Sequence, residues 1–193
     1  MSEEINPWKT NGTMVVYSNP WIEVSQHDVI QPDGTPGIYG VVHFKNKAIG
    51  VLPIDDEGFV YLVGQFRYPL GLYSWEIPEG GCPDDEEPFE AAVRELAEET
   101  GLTAAHWEVL CRSHLSNSVS DETAIIYLAT GLTHGVATPD ATEDLAHKRI
   151  HFSEAVKMVQ RGEITDSMSV MAIMHYAYSI LMQADKERAI APH

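Results

Sequence analysis

The sequence predicts an α/β protein arranged as an α/β/α sandwich with mixed strands. Three observations predict it. The first third of the chain is a succession of short strand patterns divided by turn residues. One helix with an apolar stripe follows. After further strands, two helical patterns close the chain.

Residues 14–18 and 21–30 read as strands, with Asn19-Pro20 as the break between them. Pro32-Asp33-Gly34 marks a turn into a strand over 38–44. Lys45-Asn46 turns the chain into a strand over 48–54, and Asp55-Asp56-Glu57-Gly58 into another over 59–68. Pro88 suits the first turn of a helix and Gly101 its left-handed stop, with Phe89, Ala92, Val93 and Leu96 as the apolar stripe. Strands over 107–114, 124–129 and 148–152 come next. Ser153 is placed to cap a helix over 154–161, and Asp166 or Ser167 to cap a last helix reaching about residue 186. Met168, Met171, Met174, Ala177 and Leu181 recur there at helical spacing, which reads as core or an oligomer interface.

A chain of 193 residues can bury one normal core, and 44% hydrophobic content is ordinary. The net charge of −17 is not ordinary. It speaks against nucleic acid as a partner, since a polyphosphate backbone needs a basic face. A small anionic substrate is compatible with it if metal ions neutralise the site locally. Cys82 and Cys111 form neither a disulfide framework nor a metal-type pair. The first ten residues are acidic and polar, and the longest apolar stretch, 168–182, is too short to span a bilayer. A cytoplasmic protein with no membrane partner is the expectation.

The chemistry is concentrated between Gly80 and Leu102. Glu86 stands six residues after Gly80, Arg94 and Glu95 follow, and Glu98, Glu99, Gly101 and Leu102 close the run. On a helical wheel Glu95, Glu98 and Glu99 share the face opposite the apolar stripe. Like charges at that spacing destabilise a helix by a few tenths of a kcal/mol per pair, so local stability does not explain them. A hard divalent cation does, because carboxylate oxygens are the ligands that Mg²⁺ and Mn²⁺ prefer.

This spacing resembles the Nudix box at each of its fixed positions: Gly80, Glu86, Arg94, Glu95, Leu96, Glu98, Glu99, Gly101 and Leu102. The resemblance implies a Nudix-type α/β/α sandwich and Mg²⁺-dependent hydrolysis of a diphosphate. It implies Glu95 and Glu99 as the leading metal ligands, with Glu98 as a further ligand or water-orienting base. Glu86 joins or orients the metal shell. Arg94 braces the box carboxylates, Gly80 and Gly101 permit the loop and helix-end geometry, and the backbone carbonyl of Glu79 supplies one more metal ligand.

The segment VGQFRYPLGLYSWEIPEGG, 63–81, resembles the approach to the box in ADP-ribose and nucleoside diphosphate sugar pyrophosphatases. The strand pair at the N-terminus is also typical of that branch, where it is a subdomain exchanged across a homodimer. The implied division is an antiparallel strand subdomain over 1–47, contributing to dimerisation and the cleft, and a hydrolase domain over 48–193. Arg67 then points into the substrate cleft, where its fork suits phosphate. Glu76 is a candidate for ribose hydroxyls or metal, and Trp21 and Tyr39 for stacking on the nucleobase. The general base in this branch often comes from a mobile loop after the box. Within 133–146 the candidate is Glu143, with Glu98 as the alternative. ADP-ribose pyrophosphatases commonly carry a Pro about fifteen or sixteen residues after the last Gly of the box; Ser116 and Asn117 stand there instead. Broader use of nucleoside diphosphate sugars, such as GDP-mannose or ADP-glucose, is the expectation. The rival readings are a sugar-nucleotide sensor without catalysis, which the full set of carboxylates opposes, and a housecleaning hydrolase of oxidised nucleotides or dinucleoside polyphosphates, which the N-terminal strands oppose.

Overall fold

A computed structural model describes residues 5–135 and 145–190 of the chain. Ten strands and three helices are described. In the N-terminal part, β1 (Lys9–Ser18), β2 (Ile22–Ile30) and β3 (Pro36–Phe44) form an antiparallel sheet in that order. Next come β4 (Lys47–Pro53), β5 (Phe59–Arg67), β6 (Leu72–Glu76) and β7 (Glu79–Cys82). They are followed by α1 (Pro88–Thr100), β8 (Leu102–His114), β9 (Thr123–His134), β10 (Ala146–His151), α2 (Phe152–Gln160) and α3 (Ser167–Ile190).

The central sheet has the order β7-β4-β9-β8. β4 and β9 run parallel, from Ala48 opposite Ala124 to Pro53 opposite Ala129, while β7 and β8 flank them antiparallel. Strand alternation then sorts the core into two layers. Ile49, Val51, Ile125, Tyr127 and Ala129 face α1 with Ala91, Ala92 and Leu96. Leu52, Ile126 and Leu128 face α2 and α3 with Ala155, Met158, Met168 and Ile173. Helices cover both faces of a mixed sheet, which is the predicted sandwich. The second small sheet, β10-β5-β6, lies beside it.

The structure adds β6 and β7, for which the sequence pattern predicts no strand, and starts β1 and β8 earlier. Glu76-Ile-Pro-Glu-Gly-Gly carries turn residues, and its strands form only because β5 and β4 offer partners through tertiary pairing. His151, not Ser153, caps α2, accepting from the Ser153 amide. The Asp166 cap is found: its Oδ2 accepts from the Ser169 N–H at 2.7 Å. The buried Ser169 hydroxyl in turn accepts from the Ile77 N–H at 2.9 Å, which pins α3 to the segment between β6 and β7. Of the methionine stripe, Met168 is buried and Met171 and Ala177 pack partly buried against the core, while Met174 and Leu181 are exposed. Among the described residues no helix is long and apolar enough to cross a membrane.

Candidate active site

Helix α1 is short and sharply ended. Gly101 takes a left-handed conformation (φ 71°) and its N–H bonds to the Ala97 carbonyl, so the chain turns into β8 directly after Glu98 and Glu99. The buried face of α1 differs from the expected stripe. Ala92 and Leu96 are buried as expected, but Ala91, Glu95 and Glu99 are buried with them. Phe89 and Val93 are exposed instead, Phe89 leaning on the rings of Trp107 and Tyr127. The reason is β7, which crosses α1 on its glutamate side and encloses those carboxylates.

Arg94 is the hub of this cluster. Its Nε and one terminal nitrogen donate to Glu86 at 2.9 and 2.8 Å, and the other terminal nitrogen donates to Glu95 at 2.7 Å and Glu98 at 3.0 Å. It also donates to the Gly81 carbonyl at 2.9 Å. These bonds hold the Glu86 carboxyl below the usual carboxylate range. The arrangement spreads one cation over three acids and fixes all three in place.

Gly80 passes so close to α1 that a Cβ built there would lie 2.2 Å from the Glu95 carboxylate. The next contact along β7 is the Glu79 N–H, which donates to Glu99 Oε2 at 3.0 Å. At the end of α1, Nε2 of His147 lies 2.5 Å from the main-chain oxygen of Glu99, an acceptor, and so ties β10 to the helix. Sequence reading did not single out His147; nothing near position 147 signals that it meets position 99.

The opposite wall is built around Arg67, at the end of β5. Its Nε sits 3.0 Å from both oxygens of Glu76, and a terminal nitrogen donates to Glu76 at 2.6 Å and to Glu79 at 2.8 Å. Glu76 is almost fully buried. Asp166 completes the group: oxygens of Glu76, Glu79 and Asp166 lie within 4.8 Å of one another. Burial, with Asp166 and Glu76 close by, raises the Glu79 carboxyl well above its ordinary value. Asp166 was legible in the sequence only as a helix cap.

A cleft of about 570 Å³, within the size range of small-ligand sites, is lined by Arg67, Glu79 and Asp166 and by Gly80 and Gly81 of β7. Trp21 and Phe44 flank one end, and Leu115 and Ser116 line it from the β8–β9 connection. Tyr39 does not line it. Its ring packs edge-on against Trp8 at 5.4 Å and its hydroxyl donates to the Ser118 carbonyl at 2.7 Å, so it fastens the loop that carries Ser116. Ser116 itself has φ +48°, which a proline ring, locked near −65°, cannot adopt. Glu143 lies outside the described residues.

The residues fit a divalent cation on three counts. The donors offered are carboxylate and carbonyl oxygens, the preference of hard cations. Glu79 Oε2 is buried with no hydrogen-bond partner among the described residues. Gly80 leaves open the space that any side chain would fill in front of Glu95.

Residues 44–167 match the NUDIX domain model and residues 8–42 that of the nucleoside diphosphate sugar hydrolase N-terminal domain. An ADP-ribose pyrophosphatase of Bacillus subtilis is 31% identical over 92% of this chain and 97% of its own length. One from Mycobacterium tuberculosis is 36% identical over 69% of this chain and 65% of its own length. The fold is shared with a solved structure described as an ADP compounds hydrolase, at a TM-score of 0.83 and 20% identity, covering 94% of this chain and 98% of that one.

Proposed function

This chain belongs to the Nudix family as an ADP-ribose pyrophosphatase-like hydrolase, and from that premise we propose that it carries out Mg²⁺-dependent hydrolysis of the diphosphate bond of nucleoside diphosphate sugars. The products are a nucleoside monophosphate and a sugar phosphate. The observation that carries this reading is a cleft lined by Arg67, Glu79, Gly80 and Gly81, with the braced box carboxylates directly behind those two glycines. A sensor without catalysis has no use for a helix that buries Glu95 and Glu99 against its own apolar packing.

In this reading Glu95, Glu99, Glu98, Glu86 and the Glu79 carbonyl hold Mg²⁺, with Mn²⁺ as a substitute. When bound, the metal neutralises the diphosphate oxygens and lowers the pKa of the attacking water. Arg94 keeps Glu86, Glu95 and Glu98 in register, so their geometry is set before substrate arrives. Glu98, the most open of the α1 acids that Arg94 holds, is positioned to take a proton from water, a role it shares as candidate with Glu143. Arg67 faces the cleft on the far wall, and Glu76 fixes its fork. The water oxygen bonds to phosphorus, the bridging P–O bond breaks, and the departing phosphate carries away the electron pair. Trp21, at the cleft mouth, offers a face on which a nucleobase can stack.

Residues 1–47 form the dimerisation subdomain and 48–193 the hydrolase domain in this account. Met14, Val15, Val16 and Tyr17 on β1 are each more than half exposed, an apolar edge that suits a second copy.

The absence of Pro at 116 and 117 points to loose recognition of the distal sugar. Specificity is a difference of transition-state affinities. At least one hexose substrate, GDP-mannose first, is expected to have kcat/KM within about tenfold of ADP-ribose, or about 1.4 kcal/mol. The test compares ADP-ribose, GDP-mannose, ADP-glucose and UDP-glucose at one Mg²⁺ concentration. A preference for ADP-ribose beyond about a thousandfold over every hexose substrate, about 4 kcal/mol, refutes the broad specificity.

A further inference from the structure

The cleft has two cationic side chains among its described lining residues, Arg67 and Lys47. They are not equivalent. Arg67 spends its Nε and one terminal nitrogen on Glu76 and Glu79, at 2.6–3.0 Å, so its charge is already matched by carboxylates of the protein. Asp166, Glu79 and Glu122 also line the cleft, and each repels a diphosphate.

Lys47 differs in every respect. It is the first residue of β4, opposite Cys82 of β7, so its side chain starts at the rim of the loop that leads into the box glutamates. Its ion pair is with Asp84, at 3.3 Å, and that carboxylate is 90% exposed. Such a pair is screened by solvent and holds the lysine weakly. Lys45, two residues earlier, provides a contrast. Its ammonium is fastened to the Ser18 hydroxyl at 3.1 Å and the Asn19 carbonyl at 2.5 Å, and it supports the N-terminal sheet. Between them Asn46 packs against Gly81, where a Cβ would meet its Nδ2 at 2.8 Å. That contact fixes the turn and therefore the point from which the Lys47 stem projects.

We propose that Lys47 is the diphosphate-binding cation of this cleft, exchanging its loose pair with Asp84 for the phosphate oxygens of the substrate, while Arg67 mainly organises the wall behind it. The proposal rests on the nucleoside diphosphate reading above. A flexible four-carbon stem with a compact charge suits such an exchange, since it can follow the phosphate without a fixed fork. Electrostatic anchoring of this kind acts on the bound substrate and the transition state alike, so it appears in KM more than in kcat.

The test is equilibrium binding of ADP by calorimetry, together with steady-state kinetics on whichever nucleoside diphosphate sugar the protein cleaves. Lys47→Gln is expected to raise the Kd for ADP and the KM for substrate about tenfold. Lys47→Arg should restore most of the loss. Asp84→Asn, which frees Lys47, should lower KM modestly, and the difference should shrink as salt is raised. Equal Kd and KM in folded Lys47→Gln and wild type overturns the proposal, as does a wild type with no measurable affinity for ADP. Cleavage of no nucleoside diphosphate sugar is a failure of the function reading, and the ADP titration still decides the role of Lys47.

Discussion

Gly80 and Glu95 state the logic of the site at the scale of single residues. The carboxylate occupies the space that a side chain at position 80 would need. The clash partner is the far end of a flexible side chain and not backbone, so Gly80→Ala should fold with near-normal stability while Glu95 is pushed aside. The expected result is a melting temperature within a few degrees of wild type and hydrolysis reduced at least about tenfold, with weaker Mg²⁺ dependence. Full activity in Gly80→Ala would show that Glu95 does not act where the structure holds it. At this scale much was legible in the sequence. Glu95, Glu98 and Glu99 could be singled out because their spacing makes no sense for helix stability, and Glu86 and Arg94 through the resemblance to the Nudix box. The resemblance places Arg67 toward the cleft, which it lines, but its ties to Glu76 and Glu79 depend on how β5, β6 and β7 pair, which no local pattern encodes. His147 was invisible for the same reason: its contact is with a backbone oxygen forty-eight residues away.

At the scale of elements, helix α1 has the predicted ends and only part of the predicted face, Ala92 and Leu96 being buried but not Phe89 and Val93. Pro88 and Gly101 mark the ends through backbone chemistry, independent of neighbours. The buried face depends on what covers it, and β7 covers the glutamates. The N-terminal sheet raises a related point. It meets the rest of the chain through the β8–β9 loop, where the Val42 N–H donates to the Val119 carbonyl, the Asp121 N–H to the Val42 carbonyl, and His43 pairs with Asp121 at 2.5 Å. β1 meanwhile presents Met14, Val15, Val16 and Tyr17 outward. A sheet anchored along one strand and apolar along another is compatible with the proposed homodimer. The expectation is a homodimer at micromolar concentration by light scattering, and Val15→Glu with Tyr17→Glu should shift it to monomer. A wild type that is monomeric and fully active at that concentration would refute the dimer.

On the scale of the whole molecule, the alternation of β4 and β9 between two helical layers follows from strand periodicity and was predictable as a sandwich. The acidic surface, at a net charge of −17, was equally legible. It accords with the proposal that metal ions and a few placed cations supply the affinity of the cleft, and it opposes long polyanions as substrates. The central claim is that this acidic sandwich hydrolyses a nucleoside diphosphate sugar with the glutamates of α1. The most direct measurement is product analysis of ADP-ribose incubated with Mg²⁺ and either wild type or Glu99→Gln. The account predicts equimolar AMP and ribose 5-phosphate from wild type, abolished by a chelator. It also predicts at least about a hundredfold slower release from a folded Glu99→Gln protein, since metal-site carboxylates act mainly on the transition state. Near-normal release from Glu99→Gln, or none from wild type with Mg²⁺ on ADP-ribose and the hexose substrates alike, would contradict it.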